Sequence, residues 1–289
     1  MNRIIDLQTA LLDLLYEIRN TGENLIVGGG YGIYLKMGHL RRTGEKTLFE
    51  NWPEPRSTND LDLFLRPELL IESEKLKPIA QALERLKYTV VPSARNYQFS
   101  RLGPDGTEAG GIKVDMLTGP RSRFDGTKVK TDSRRARPRP SVGIHAHPVD
   151  EALSLEKGLL STILAGNLSS GDPWKTEVLL PHPYTFSLMK LFAFRDRLDD
   201  ENKEFGRYHA LDLYTILATT TEQEWQLALK LKAFHNKDPI ASEAGRLIAN
   251  YFSNPEQLGM LRLRESIYFR PELQIEDFMS VLKDLFYQG

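Results

Sequence analysis

Three aspartates lie in short apolar segments whose patterns predict β-strands. Asp60 and Asp62 are separated by one residue in Asp-Leu-Asp-Leu-Phe-Leu, and Asp115 lies in Ile-Lys-Val-Asp-Met-Leu. Alternate residues of a strand share a face, so the first two carboxylates point the same way, about 6.6 Å apart along the backbone. Like charges beside a buried sheet repel each other unless a cation lies between them, and Mg²⁺ takes one or two carboxylates together with water and phosphate oxygens. The pattern therefore predicts a magnesium site at Asp60 and Asp62, where Asp115 serves as a third ligand or as a base.

A glycine run follows a short apolar segment upstream of these aspartates. Leu25–Val27 precedes Gly28, Gly29 and Gly30, and the sequence then returns to a helical pattern. Glycine lets the backbone approach a ligand closely, and the free N–H groups of a helix N-terminus attract phosphate. We therefore expect these glycines to bind nucleotide phosphates. The run does not match G-x-G-x-x-G, and G-x-x-x-x-G-K-[ST] is absent, which excludes dinucleotide-binding and P-loop proteins.

The elements around these residues indicate an α+β fold. Amphipathic spacing predicts a helix over 4–18, and residues 38–59 are polar and interrupted by prolines, which is typical of a surface loop. Further patterns predict a helix over 72–87, strands over 60–65, 96–102 and 112–117, and helices over 184–198, 208–219, 222–234, 240–251 and 275–286. We therefore expect a mixed sheet with flanking helices in a domain of residues 1–180, followed by a helical domain of residues 181–289.

The amino-acid composition excludes several classes of protein. The 289 residues include no cysteine, and 38 Lys and Arg stand against 39 Asp and Glu. Disulfide scaffolds, thiolate nucleophiles and cysteine-bound zinc are thus excluded. No apolar run reaches the roughly 18–20 residues of a membrane span, and the N-terminus does not resemble a signal peptide, so we expect a cytoplasmic protein. The balanced charge excludes binding of nucleic acid through a broadly basic surface.

One local segment is strongly basic. Six cationic residues and a single acid lie between positions 128 and 139, a segment that ends in Arg-Pro-Arg-Pro. Such a run is either a solvated surface loop or an arm that contacts RNA phosphates without reading sequence. The candidate RNA-binding residues are Lys128, Lys130, Arg134, Arg135, Arg137 and Arg139.

The order of these motifs resembles a known fold. A glycine turn, an Asp-x-Asp pair and a third aspartate follow one another as in nucleotidyltransferases of the DNA polymerase β type. The string Arg56-Ser-Thr-Asn-Asp-Leu-Asp-Leu63 is similar to the R-x-[ST]-x-D-h-D-h motif of the AbiEii/AbiGii toxins, the MenT-like effectors of type IV toxin–antitoxin systems. The resemblance covers residues 24–220 and implies that Arg56 and Thr58 contact a nucleotide. Lys46 also resembles a basic residue near that family's active site.

The resemblance extends into the helical half. There the family carries a lysine, an arginine and an aspartate, which correspond here to Lys190, Arg195 and Asp212. It implies that Lys190 and Arg195 bind the nucleotide and that Lys190 and Asp212 belong to the catalytic set. Tyr208 and His209 stand where many relatives carry Lys-Asp.

The function that this resemblance implies is a Mg²⁺-dependent transfer of a nucleoside monophosphate from an NTP to RNA. Members of the toxin family modify the 3′ end of tRNA, so tRNA and a neutralising antitoxin protein are the expected partners. Two alternatives remain open. The same fold can transfer the nucleotide to a small hydroxylated molecule such as an aminoglycoside, or the chain can be a noncatalytic module that binds a nucleotide or a partner.

Overall fold

The computed structural model describes residues 3–56, 58, 60–103, 106–107 and 111–287, and it divides the chain into two compact units. The first unit comprises Met1–Leu35, Ser57–Asp150 and Leu159–Leu180, and the second comprises Lys36–Arg56, Glu151–Gly158 and Pro181–Gly289. The sequence predicts a single domain boundary, between residues 180 and 181. The last division between the two units also lies there. Residues 36–56 and 151–158 group with the helical unit because packing in space, and not position in the chain, decides which core a segment joins.

The elements up to residue 180 alternate between helices and strands. In chain order they are α1 (Arg3–Ile18), β1 (Ile26–Val27), α2 (Gly29–Thr43), β2 (Asp60–Leu65), α3 (Pro67–Ile71), α4 (Lys77–Arg85), β3 (Thr89–Val90), β4 (Gln98–Arg101), β5 (Ile112–Thr118), β6 (Lys130–Thr131), β7 (Ala136–Arg137), β8 (His147–Pro148), β9 (Leu160–Asn167) and β10 (Pro173–Leu180).

Most of these strands form one mixed sheet in the order β3-β4-β5-β2-β1-β10-β9, with β8 also pairing to β5. Strands β2 and β5 run parallel at its centre, whereas β1 and β4 run antiparallel to their neighbours β2 and β5. Helices α1 and α4 pack against each other, and α1 also contacts the central strands. The apolar residues of β2 and β5, such as Leu61 and Val114, are fully buried in this core. The other face of these strands carries the polar residues Asp60, Asp62 and Asp115 together with the buried ring of Phe64.

The second unit is helical. Beyond residue 180 its helices are α5 (Pro183–Asp196), α6 (Arg207–Ala218), α7 (Glu222–Phe234), α8 (Pro239–Tyr251), α9 (Leu258–Arg264) and α10 (Ile275–Phe286). Its separate core contains the buried rings of Phe194, Tyr214, Phe252 and Phe278. The α+β class, with a mixed sheet and a helical C-terminal region, is thus confirmed.

Some predicted boundaries were wrong. The predicted surface loop over 38–59 begins too early, because α2 continues to Thr43 with Leu40 buried on its apolar face. The predicted helix over 72–87 consists of a 3-10 turn at Ser73–Leu76 followed by α4. The basic segment over 128–139 contains the hairpin β6–β7, in which Ala136 is buried. The hairpin β9–β10 and the short helix α9 were not predicted.

Among the described residues, no helix combines the length and the apolar character that crossing a bilayer requires.

Candidate functional site

The register of the sheet brings the three aspartates to one face of the first unit. Asp62 of β2 lies directly opposite Asp115 of the parallel strand β5, and Asp60 lies opposite Lys113. The aspartates are half-buried, whereas the alternating residues Leu61 and Leu63 are buried in the core. Because partners in register point to the same face, the carboxylates of Asp62 and Asp115 are neighbours, and Asp60 is one strand repeat away.

This arrangement changes the acidity of Asp115. Burial and, to a smaller extent, the negative charge of Asp62 raise its pKa to about 7, against the opposing effect of a hydrogen bond from Gln98. The Gln98 side chain donates from Nε2 to Asp115 Oδ1 at 2.6 Å, and Gln98 is the register partner of Asp115 on β4. Asp115 is therefore held in one orientation and can take up a proton near neutral pH.

The glycine turn lies against the same carboxylates. The Gly28 N–H donates to the Asp62 carbonyl at 2.8 Å, and α2 begins at the next residue. Gly29 has a φ of +61°, and a β-carbon at this position would overlap the Asp62 carboxylate. A β-carbon at Gly28 would come within 2.7 Å of the Phe64 ring. Gly30 follows in the first turn of α2, so backbone N–H groups of a helix N-terminus begin beside Asp62.

The carboxylates of Asp60 and Asp62 are the kind and number of protein ligands that a magnesium ion takes. Within the described residues, no three His, Asp or Glu side chains are grouped so that they could hold a metal ion. Mg²⁺ needs only one or two protein carboxylates, because water and phosphate oxygens complete its octahedron. Asp60 and Asp62 share a face, and the contact between Gly29 and Asp62 leaves no room for any side chain between the turn and the carboxylate. Asp115 as a third ligand remains a prediction.

A second cluster of predicted residues forms within the helical unit. Arg56 donates from Nε and Nη2 to the two Asp212 carboxylate oxygens at 2.7 and 2.8 Å, and Lys190 Nζ lies 2.8 Å from Asp212 Oδ2. Burial alone would raise the pKa of Asp212, but the two cations hold it well below its usual range. Asp212 thus stays ionised and fixes the positions of two positive charges, one from the segment before β2 and one from α5.

His209 joins this cluster from the same helix as Asp212. Burial, reinforced by the charge of Lys190, lowers the pKa of His209 to about 3, so its ring is neutral. Its Nδ1 atom is buried without a hydrogen-bond partner among the described residues. The Arg56 guanidinium lies 5.4 Å from the centre of the Tyr208 ring. Positions 208 and 209 therefore place an aromatic ring and a neutral imidazole beside the buried ions.

Other predicted residues lie elsewhere. Arg195 is five residues from Lys190, or about 140° around the helix, so the two do not share a face. It contacts Asp196 and the Phe192 ring instead. Lys46 is exposed after the end of α2, and Thr58 is half-buried just before β2. The neighbouring Ser57 of the same motif lies outside the described residues.

The basic segment is organised around one acid. The Asp132 carboxylate accepts hydrogen bonds from the N–H groups of Arg134 and Arg135 at 2.9 Å, and it pairs with the side chains of Arg135 and Arg137. Four other cationic side chains of the segment are exposed; they belong to Lys128, Lys130, Arg134 and Arg139. The hairpin therefore presents cations on a defined backbone.

Gln98 and His209 were missed as candidate site residues. Gln98 belongs to no recognisable sequence motif. Its position opposite Asp115 follows only from the pairing of β4 with β5. His209 had a local signal, because it is three residues before Asp212 and such residues share a helix face.

No protein-family model matches the chain, and no curated protein matches it. Among solved structures, the chain is similar to the antibiotic-resistance factor ANT(2'')-Ia, whose solution structure shows substrate-regulated conformation dynamics. The TM-score is 0.40 and the identity is 13%, over 82% of this chain and 95% of that chain. At this level of similarity, a function has to be inferred from the chain's own residues.

Proposed function

We propose that this chain is a magnesium-dependent nucleotidyltransferase. The observation that carries the proposal is the pairing of Asp62 with Asp115 on adjacent parallel strands, with Asp60 on the same face and the glycine turn packed against Asp62. Acidic groups that repel each other in a half-buried position are costly, so their presence beside a phosphate-binding type of turn favours a catalytic role.

The site residues of the first unit would have distinct roles in the reaction. Asp60 and Asp62 would hold Mg²⁺, which when bound neutralises charge on the phosphoryl oxygens and positions the triphosphate. Backbone N–H groups at the start of α2 would donate to phosphate oxygens. Asp115 would accept the proton of the acceptor hydroxyl as that oxygen forms a bond to the α-phosphorus and the bond to pyrophosphate breaks. Gln98 would keep the Asp115 carboxylate in place.

The cluster of Arg56, Lys190 and Asp212 in the second unit would bind phosphate groups of the nucleotide. Lys190 is a compact charge with several N–H donors, and the planar Arg56 guanidinium suits two phosphate oxygens. Asp212 orients both cations, and we assign it this role instead of direct contact with the nucleotide. A neutral His209 would serve as a hydrogen-bond donor or acceptor without adding a charge.

The acceptor in this proposal is RNA, with the 3′ end of tRNA as the specific candidate. The exposed cations of the β6–β7 hairpin support it, because they can hold a phosphate backbone without reading sequence. The role of a toxin with a separate antitoxin is supported by the resemblance of the Arg56–Leu63 string to the AbiEii/AbiGii motif.

The test is a transfer assay with each α-labelled NTP, Mg²⁺ and total tRNA. Wild type should label tRNA with at least one nucleotide, and Asp62→Asn should lose the label while Asp125→Asn, an exposed acid, keeps it. Circular dichroism would show that both variants are folded. Label on an aminoglycoside instead of tRNA would favour the small-molecule alternative, and no transfer with any NTP would favour the noncatalytic module.

Growth provides a second test, of the toxin role alone. Expression of wild type should arrest growth, and Asp62→Asn should restore it. Normal growth together with tRNA labelling in vitro would reject the toxin role but keep the transferase.

A further inference from the structure

A serine, a histidine and an aspartate are neighbours within the second unit, remote in sequence from the motifs above. Ser154 Oγ is 2.8 Å from His235 Nε2. The other ring nitrogen, His235 Nδ1, is 3.9 Å from Asp238 Oδ2. A nucleophile in contact with a base that faces an acid is the arrangement that activates a serine hydroxyl.

The backbone at Ser154 is strained. Its φ is +55°, a conformation that residues other than glycine seldom adopt, and the Lys157 N–H closes the turn by donating to the Ser154 carbonyl at 2.8 Å. Nucleophilic serines in hydrolases often occupy such sharp turns, where the following N–H stabilises the oxyanion. Within the described part of the chain, the N–H of Leu155 donates no hydrogen bond.

The surroundings of His235 favour its action as a base. Asp238 accepts a hydrogen bond from the Ile240 N–H at 2.8 Å as the N-cap of α8, so its carboxylate is held in place. At 3.9 Å from Nδ1 the Asp238 carboxylate acts on the ring electrostatically, which favours a proton on Nδ1 and leaves Nε2 free to accept the serine proton. Burial lowers the pKa of His235, which keeps the ring neutral, and the Tyr184 ring stacks on it at 6.0 Å.

An exposed aromatic side chain adjoins this group. Phe234 is 78% exposed, and its ring meets that of His235 edge-on at 4.9 Å. A ring of this size beside His235 can bury the hydrocarbon part of a bound substrate, because removing apolar surface from water is favourable. It favours a substrate with a hydrocarbon chain over a charged one.

We propose that Ser154, His235 and Asp238 form a serine-nucleophile site that takes the acyl group of small activated carboxylic esters. This activity is independent of the nucleotide transfer proposed above.

The reaction balances without any further reagent. Ser154 Oγ bonds to the ester carbonyl carbon while its proton passes to His235 Nε2; the ester C–O bond then breaks, and the leaving alcohol takes that proton. Water next attacks the acyl-serine and gives a proton to His235. The proton returns to Ser154 Oγ as the carboxylic acid leaves.

The first test uses a fluorophosphonate probe and p-nitrophenyl butyrate on the full chain. Wild type should be labelled at Ser154, as located by mass spectrometry, and should hydrolyse the ester. Ser154→Gly should lose both, with hydrolysis lower by about 10²-fold or more. Glycine adopts the positive φ of this position freely, so this variant folds and its loss of activity is a loss of the nucleophile.

Ser170→Ala is the matched control, because Ser170 lies in an exposed turn and hydrogen-bonds to Asp172. It should keep both signals. Labelling of Ser154→Gly equal to wild type, or no labelling of Ser154 in the folded chain, would overturn the proposal.

The second test separates the base and its orienting acid from a purely structural hydrogen bond. His235→Gln can still bond to Ser154 but cannot take its proton, so hydrolysis should fall to the level of Ser154→Gly. Asp238→Asn keeps the helix cap, since asparagine caps well, and should lower hydrolysis by about tenfold or more. Full activity in His235→Gln would show that the contact only supports the turn, and the proposal would be wrong.

Discussion

Asp115 lies half-buried beside two other carboxylates, a position that destabilises the folded protein when all three are ionised. Asp115→Asn keeps the acceptor oxygen for Gln98 and removes the repulsion with Asp62. We expect it to raise the free energy of unfolding by about 1 kcal/mol in metal-free buffer. It should also lower turnover by about 10²–10³-fold, because the proton acceptor is removed.

Urea unfolding and single-turnover assays would measure the two effects of Asp115→Asn, with nucleotide binding followed separately. In the proposed roles, Asp115→Asn keeps nucleotide and Mg²⁺ binding, whereas Asp62→Asn loses Mg²⁺ binding. Loss of Mg²⁺ binding in Asp115→Asn would instead make Asp115 a metal ligand.

His209 gives the stability of the second unit a dependence on pH. Its pKa is about 3 in the folded chain and 6.5 ordinarily, so between these values the unfolded chain binds a proton that the folded chain does not. Stability therefore falls as the pH drops below about 6.5. This residue alone should account for about 2 kcal/mol between about pH 7 and about pH 5.

Urea titrations of wild type and His209→Gln at these two pH values would check this prediction. Glutamine cannot be protonated in this range, so the variant should lose less stability on acidification. An identical pH dependence in both proteins would contradict the burial of a neutral imidazole.

At the scale of elements, the start of α2 depends on the absence of a side chain at Gly29. Gly29→Ala would both strain a positive φ and push against the Asp62 carboxylate. Gly22 is the matched control, because it has a φ of +74° but nothing within 4 Å of its β-carbon position. We expect Gly29→Ala to lose about 2 kcal/mol more stability than Gly22→Ala, since the overlap adds to the backbone strain.

Thermal unfolding of the two glycine variants would measure the difference, and transfer assays should show activity in Gly22→Ala only. Equal losses of stability would mean that α2 can move away from β2 without cost.

Helices α5 and α6 are joined through the ions around Asp212. Asp212→Asn would leave Arg56 and Lys190 beside each other without the carboxylate, which should cost about 3–5 kcal/mol of unfolding free energy. Lys190→Met should cost less, because Arg56 still binds both oxygens of Asp212. Unfolding in guanidinium chloride would rank the two variants by their loss of unfolding free energy. A larger loss in Lys190→Met than in Asp212→Asn would show that the bidentate pair of Arg56 and Asp212 is not the main interaction.

At the scale of the whole molecule, a net charge of −1 leaves nucleic-acid binding to local surfaces such as the β6–β7 hairpin. Replacing the exposed Lys128, Lys130 and Arg134 by alanine should weaken tRNA binding. It should also reduce the slope of log Kd against log salt by about 2, at roughly 0.7 for each phosphate that the protein no longer neutralises. Fluorescence anisotropy over a range of salt concentrations would measure both.

The control for this charge removal is the triple alanine variant of Lys203, Lys230 and Lys237, which are exposed on the helical unit. It changes the net charge equally and should leave the salt slope as in wild type. If both triple variants weaken tRNA binding equally, the effect belongs to overall charge and the hairpin is not the RNA-binding surface.

The local patterns of the chain could be predicted because they depend on neighbouring residues. Alternation in Asp60–Leu65 determines that Asp60 and Asp62 share a face, and β2 has the predicted bounds. The glycine run likewise indicated a turn into a helix, and α2 begins within the run at Gly29. The extent of α2 could not be predicted, because burial of Leu40 outweighs the glycine and the polar residues nearby.

Which of these residues meet depends on the packing of distant segments. Asp62 pairs with Asp115 because β2 and β5 are neighbours in one particular register, and no local pattern specifies a register between distant strands. Arg56 reaches Asp212 across 156 positions, and Ser154 reaches His235 across 81. Hydrophobicity and backbone preference act over a few residues, whereas these long-range pairs form only when each unit packs its own core.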